Sequence, residues 1–302
     1  MKTLVIGIPY FAQKVAENLA DIDRRNTYIA LDPSGKRADK IRFLLHLPLA
    51  DIIYLIGAYT SCGGSLKSAL FFKKKIVMHW VGTDVLMAHQ AFQNNTIDYG
   101  LIKHAKHLCE VSWIQEELAQ IGIYAEIVQI AGFENKVPAP APLPEKFSIL
   151  TYIGKTKGRA EFYGIKHLIQ IAKDFPDIEI KIVGNAEYDQ PLPPNIKLLG
   201  WVTDMESQYK GCILCLRLAE HDGLSFSVLE ALMHGRYVGY SQNYEAAYFV
   251  PTYEDIKNLV SELYLSHQAG TLKENREGFS YIQKNFNKTI NMQILSNKLC
   301  GV

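Results

Sequence analysis

Two carboxylates, Asp222 and Glu230, stand eight positions apart around a Gly223-Leu224-Ser225 turn. An apolar, strand-like run from Cys212 to Leu218 precedes the turn, and a helix-like stretch, Ser227 to Met233, follows it. Strand, turn and helix start in that order present the unpaired N–H groups of a first helical turn, which attract a phosphate. The two acids add acceptors for sugar hydroxyls. Arg217 ends the strand that feeds the turn, where a guanidinium suits a phosphate and an ion pair with Glu220 or Asp222 competes with that use. Glu230 has a second reading, because Ser227-x-x-Glu230 is the spacing of a capping box. Asp222 has one as well, as the acid of an Asx-turn.

The elements that must position these residues alternate along the whole chain. In the first half, strands are expected at Lys2 to Gly7, Tyr28 to Leu31, Ile52 to Ile56, Ile76 to His79, Leu108 to Val111 and Ala125 to Ile130. Helical stretches such as Ala12 to Ala20, Ser65 to Phe72 and Trp113 to Gln120 separate them. The run from Val137 to Pro144 alternates proline with small or apolar residues and can be neither helix nor central strand. Alternation then resumes, with strands at Ser148 to Ile153, Ile178 to Val183, Ile196 to Leu199, Ile213 to Leu218 and Tyr237 to Tyr240. Helices are expected at Ile165 to Lys173, Met205 to Tyr209, Tyr253 to Leu265 and Gly278 to Leu299. Such alternation predicts an α/β protein with two doubly wound, Rossmann-like domains facing a cleft. The division is expected at 1–136, a proline-rich linker at 137–146, and 147–302, with the last helix packing back on the first domain.

Composition narrows the class. The chain has 302 residues, 48% of them hydrophobic and 21% charged, which suits a large globular core. A formal net charge of +1 argues against a nucleic-acid binder held by bulk electrostatics. Five cysteines at scattered spacings form no disulfide framework and suit a reducing, cytoplasmic compartment. Cys212 and Cys215 fall inside an apolar strand and read as buried small hydrophobes. No His/Asp/Glu cluster has metal-ligand spacing, so neither a metal nor a resident cofactor is expected.

The segment Asp222 to Glu230, with Ala231-Leu232 and Gly235 after it, resembles the donor-site signature of retaining GT-B glycosyltransferases of the group 1, or family 4, type. Gly154-Lys155, Gly164, Val183-Gly184 and Leu199-Gly200-Trp201-Val202 fall in the family's order. The resemblance covers the second half and implies transfer of a sugar from a nucleotide diphosphate sugar to a glycan or lipid-linked acceptor, with retention. It gives Glu230 the ribose hydroxyls, Asp222 the donor-sugar hydroxyls, and the Gly223-Leu224-Ser225 turn the diphosphate. The family's two cations, an Arg after the first strand's Gly and a Lys before the helix-opening Gly, stand here as Lys155 and Tyr163. Lys157 and Arg159 in the same loop are the candidates to replace the missing charge. Asp222 replaces the family's Glu and Ser225 its second Gly.

In the first half, Met78 to Asp84 resembles the acceptor-side loop of the same enzymes, with His79 and Asp84 as candidates to contact donor sugar and acceptor. A buried His79 and a helix-capping Asp84 are the competing readings. Gly7 ends the first strand in a loop that would face the cleft without a dinucleotide fingerprint. The apolar stretch Leu66 to Phe72 followed by Lys73-Lys74-Lys75 suits either a helix resting on anionic lipid, at the inner face of the membrane, or a helix C-terminus with dipole partners. Two other functions fit the same residues: a nucleotide-sugar epimerase of this fold, or a non-catalytic relative that kept the fold as a binding protein.

Overall fold

The protein, described from a computed structural model, is defined over residues 1–134, 139–154 and 158–301. It divides into two compact units: the first holds Met1–Glu134 and the tail from Phe286, the second the chain between. Each unit is a six-stranded sheet whose registered neighbours are all parallel.

In the first unit the strands are β1 (Lys2–Gly7), β2 (Thr27–Ala30), β3 (Ile52–Ile56), β4 (Lys75–Trp80), β5 (Lys106–Cys109) and β6 (Glu126–Ile127), in the order β2-β1-β3-β4-β5-β6. All five residues of β3, Ile-Ile-Tyr-Leu-Ile, are buried, as a central strand covered on both faces requires. The connecting helices are α1 (Pro9–Ile22), α2 (Arg37–His46), α3 (Gly64–Phe71), α4 (Thr83–Gln93), α5 (Tyr99–His104) and α6 (Ser112–Gln120). Proline at the first position of α1 suits a site where no N–H is needed, and Ala12, Val15, Ala16 and Leu19 form its buried stripe.

The second unit has β7 (Ser148–Tyr152), β8 (Glu179–Val183), β9 (Ile196–Gly200), β10 (Leu214–Arg217), β11 (Tyr237–Tyr240) and β12 (Tyr248–Phe249), in the order β12-β11-β10-β7-β8-β9. Its helices are α7 (Ile165–Asp174), α8 (Met205–Lys210), α9 (Phe226–Met233), α10 (Tyr253–Gln268) and α11 (Arg276–Asn285). Ile165, Leu168, Ile171 and Ala172 line one face of α7 and join Ile149, Ile180, Leu214 and Leu216 in the core. The strand order reverses between β7 and β10, so a crevice opens at their carboxyl ends. Cys212 and Cys215 are free and buried, as small hydrophobes in a strand should be.

The described part of the proline-rich run is bound to the second unit. The fully buried Arg236 donates to the carbonyls of Ala141, Pro142 and Cys212, and a side chain at Gly235 would strike Pro140. Residues 135–138 lie outside the described part.

A single final helix is expected from the sequence, but two are present, α11 and then α12 (Lys288–Cys300). Phe286 accepts from the Phe133 backbone N–H, the Lys288 N–H returns to the Phe133 carbonyl, and Asn287 caps α12 through Ile290. These bonds break the helix and lay α12 on α1. There Ser296 and Tyr28 donate to Asp23, which is 3% exposed and also receives Asn26 and the Arg25 N–H. Burial raises the Asp23 pKa, but the donors outweigh it and bring it down from 3.8 to about 2. A depressed carboxylate contributes stability that is complete above its unfolded pKa and is lost as pH falls through the folded value. Asp23→Asn is therefore expected to lower stability at neutral pH by about 2 kcal/mol and to flatten the acid limb between roughly pH 4 and 2. Urea unfolding across that range, followed by a probe on the first unit, measures both.

Candidate functional site

The carboxyl ends of β7 and β10 bring together what the sequence separates. Arg217, the last residue of β10, is 8% exposed and grips Asp222 with two bonds, Nε to Oδ2 at 2.6 Å and Nη2 to Oδ1 at 3.1 Å. Its guanidinium carbon lies 4.9 Å from the ring centre of Tyr163 and 5.8 Å from that of Tyr152, the last residue of β7. Burial pulls the Arg217 pKa down, yet the Asp222 carboxylate more than offsets this and holds it above its ordinary value. The site thus contains a cation that stays charged at any ordinary pH.

Tyr163 stands where the sequence resemblance would place a lysine. Its ring packs over Gly154, where a Cβ would lie 3.3 Å from the ring edge. Arg159 stacks beside it, 5.3 Å from the Tyr163 ring and 4.7 Å from that of Phe162. Arg159 therefore brings positive charge to the loop through an aromatic platform. Lys155 and Lys157 lie outside the described residues.

The turn before α9 is fixed by a residue that sequence reasoning missed. The buried Tyr240, at the end of β11, donates its phenol to the Gly223 carbonyl. That bond holds the turn beside Leu224, which is buried. Only the pairing of β10 with β11, Arg217 opposite Tyr240, brings that phenol to the turn. Ser225 is the N-cap of α9 but makes no side-chain cap; its Oγ lies 2.8 Å from that of Ser227. The N–H groups of Val228 and Leu229 return to the Ser225 carbonyl. The helix start is thus shaped by the turn and Tyr240, with no side chain folded over it as a cap.

The capping-box reading of Glu230 fails on this geometry. With α9 starting at Phe226, Glu230 is the fifth helical residue, two positions past the one from which a side chain reaches the N-cap backbone. Its Oε2 instead accepts from the Tyr209 hydroxyl at 2.9 Å. Tyr209 is buried at the end of α8 and stacked on His234, and burial followed by Glu230 raises its pKa, so it remains a donor. Tyr209 orients the carboxylate; in the sequence it stands out only as an aromatic in a short helix.

Glycines let these elements meet. Gly184 (φ +98°) ends β8, and a Cβ there would lie 2.3 Å from the Ile153 carbonyl oxygen. Gly164 (φ +75°) opens α7, and a Cβ would meet that of Leu218 at 2.6 Å.

The candidates of the first unit are placed differently. His79 lies in β4, fully buried, with Nδ1 2.8 Å from the Tyr54 hydroxyl. Burial lowers its pKa to about 3, so it is a neutral core histidine with no surface to offer a substrate. Asp84 accepts backbone N–H groups from Ala58, Val81, Gly82 and Val85, tying the loop after β3 to the start of α4. Burial pushes its pKa up against those donors. It lines a hollow of about 350 Å³ with Tyr59, Thr60, Ser61 and Met87. Gly7 (φ +111°) makes the closest approach of all, since a Cβ would fall 1.9 Å from the Ile56 carbonyl oxygen. Its glycine is required by the packing of β1 on β3.

Among the described residues no group of three His, Cys, Asp or Glu side chains is placed to hold a metal. None of their helices is long and apolar enough to cross a membrane.

No family model and no curated protein sequence matches the chain. Solved structures do. A sucrose-phosphate synthase from Thermosynechococcus elongatus superposes with a TM-score of 0.71 at 11% identity, covering 100% of both chains. The pneumococcal O-GlcNAc transferase GtfA, in complex with UDP and GlcNAc, gives 0.60 at 15% identity, over 88% of this chain and 60% of GtfA. A protein from Listeria monocytogenes assigned as a UDP-N-acetylglucosamine 2-epimerase gives 0.52 at 14% identity, over 98% of this chain and 95% of the other. The chain spans 54% of TarM, another match. At these identities the likeness shows the fold. It is the GT-B class: two doubly wound α/β units.

Proposed function

We propose that the protein is a glycosyltransferase that moves a sugar from a nucleotide diphosphate sugar to a carbohydrate or lipid-linked acceptor, with retention at the anomeric carbon. The observation that carries this reading is the β7–β10 crevice, where Arg217, Asp222 and the Tyr240-clamped start of α9 converge. The N–H groups at the start of α9, with Arg217 and the Arg159 loop, suit a diphosphate whose charge grows as the sugar leaves. Lys155 is assigned to the same anion on the strength of the family resemblance. Glu230, oriented by Tyr209, suits a ribose diol; Asp222 is assigned to the donor sugar. In the reaction, the bond from the anomeric carbon to the diphosphate oxygen breaks and a bond to the acceptor oxygen forms. The acceptor proton passes to the departing phosphate on the same face. The hollow beside Asp84 in the first unit is the proposed acceptor side. His79 is left out of the site because it is buried and neutral.

UDP, GDP and ADP, scanned by thermal shift, test the donor site, because a ligand at 100 times its Kd stabilises by about 2.7 kcal/mol. No shift with any of them, together with no hydrolysis of the corresponding sugars, would remove the proposal. Product analysis separates transfer from epimerisation, since an epimerase changes the sugar without releasing nucleotide. The anomer formed, read by NMR, tests retention. Glu230→Gln is expected to weaken nucleotide binding about tenfold with a stability change below about 1 kcal/mol, because Gln still accepts from Tyr209. An altered melting temperature with unaltered nucleotide affinity would leave Glu230 a structural role only.

A further inference from the structure

The amino ends of β3 and β4 form a surface whose chemistry the transfer reaction does not use. Ile52 pairs with Lys75 in the sheet, so the segments entering these strands, α2 with the turn Leu47–Leu49 and the end of α3, lie side by side. Lys74 at the end of α3 donates to the Pro48 carbonyl at 2.9 Å, which joins them directly.

Their apolar residues point outward. In α2 only Phe43 is buried, whereas Ile41, Leu44 and Leu45 are all exposed at the i, i+3, i+4 spacing of one helix face. Leu45 and Leu49 are each 70% exposed. Phe71 is 81% exposed and stands edge-on to the exposed Phe72. Single exposed hydrophobics are ordinary; a contiguous set on two neighbouring segments is not.

The charge around this set is predominantly positive. No Asp or Glu occurs between Asp51 and Asp84, while Lys67, Lys73, Lys74 and Lys75 fall in that interval. On the α2 side Lys36, Arg37, Lys40 and Arg42 outnumber Asp32 and Asp39, the second of which pairs with Arg42 at 3.1 Å. Asp51 is engaged by the Lys2 N–H. This concentration occurs in a chain whose formal net charge is only +1.

Lys73 adds an independent sign. It takes the left-handed conformation (φ +50°) just past α3, a position that favours glycine. Its charge follows directly on the two exposed phenylalanines in the chain.

We infer that this face docks the protein on an anionic lipid surface, with Leu45, Leu49 and Phe71 entering the headgroup boundary and the flanking lysines meeting lipid phosphates. Apolar side chains ringed by bases match such a surface on both counts, since insertion and attraction to anionic lipid are the two contributions to interfacial binding. A second copy of this chain would bring the same positive charge against itself.

Vesicle co-sedimentation of the full chain tests this inference. Phosphatidylcholine vesicles containing about one-third phosphatidylglycerol, at about 0.1 M salt, are expected to retain the protein at least tenfold better than phosphatidylcholine alone. Lys73→Gly, which removes the charge while relieving the backbone, is expected to weaken binding about fivefold. Phe71→Ser, at a site making no core contact, is expected to weaken it about tenfold. Absence of binding to anionic vesicles overturns the inference, as does binding that ignores lipid charge and both substitutions. So does a dimer in solution that Phe71→Ser dissociates, which would assign the face to a second copy. Nucleotide thermal shifts should be the same in both variants, so failure here is distinct from failure of the proposed function.

Discussion

Arg217→Met is expected to lower sugar transfer by at least 100-fold, to abolish the thermal shift with nucleotide diphosphates, and to cost about 3 kcal/mol of stability. The two effects have different origins. Arg217 and Asp222 have side chains only 10% and 14% exposed, so removing the guanidinium leaves a carboxylate poorly solvated beside two aromatic rings. Removing one partner of a buried pair is more damaging than replacing both, because the remaining charge is left uncompensated. Adding Asp222→Asn to Arg217→Met should therefore recover most of the lost stability. It should not recover transfer, because the cation assigned to the diphosphate is still missing. Chemical denaturation and single-turnover transfer, run on both variants, separate the roles. Nucleotide binding that persists unchanged in Arg217→Met would reduce Arg217 to the counterion of Asp222.

Gly184→Ala is expected to destabilise the protein by about 3 kcal/mol or more, combining left-handed strain with overpacking. Its φ of +98° is one that L side chains rarely adopt, and the nearest atom to an added Cβ is the Ile153 carbonyl oxygen at 2.3 Å. Backbone cannot swing aside as a flexible side chain can. The contact joins the ends of β7 and β8, so relief of the clash must displace β7 from its place beside β10. In a domain of this size the change corresponds to a fall in Tm of roughly 6–12 °C. Nucleotide affinity should fall with it, because the crevice lies at those strand ends. A melting temperature within about 2 °C of the wild-type value would show that the strand ends yield more easily than this packing implies.

Much of the second unit was readable in the sequence because its signals are local. Apolar runs such as Ile178 to Val183 and the stripe of α7 specify strand and helix without reference to partners. The order of Gly154, Gly184, Gly200 and Asp222 to Glu230 marked the crevice; a close backbone approach demands glycine at Gly184, and a left-handed φ favours it at Gly200. The first unit was less readable at its candidate residues. A histidine ending an apolar run, as His79 does, has the same pattern whether it faces solvent or the core, and burial decided against chemistry. Asp84 suited a helix cap or an acceptor contact; the structure shows it holding a loop through four backbone N–H groups. Residues 278–299 keep a helical pattern, which predicts one continuous final helix. Its break at Phe286-Asn287 depends on backbone bonds to Phe133, far away in sequence.

The sequence by itself determined the α/β class and the two doubly wound halves, since periodicity and turn chemistry act over a few residues. It also marked the turn from Asp222 to Ser225 as the place where chemistry is feasible. Only the tertiary structure decided what those residues do for one another. It joined Asp222 to Arg217, turned Glu230 toward Tyr209 and away from a capping box, and set the Tyr240 phenol against the turn. It also gave α12 to the first unit through Asp23 and Ser296. The physical reason is the same in each case. These bonds join residues that no local pattern couples, and their partners meet only after the sheets have brought the strand ends together.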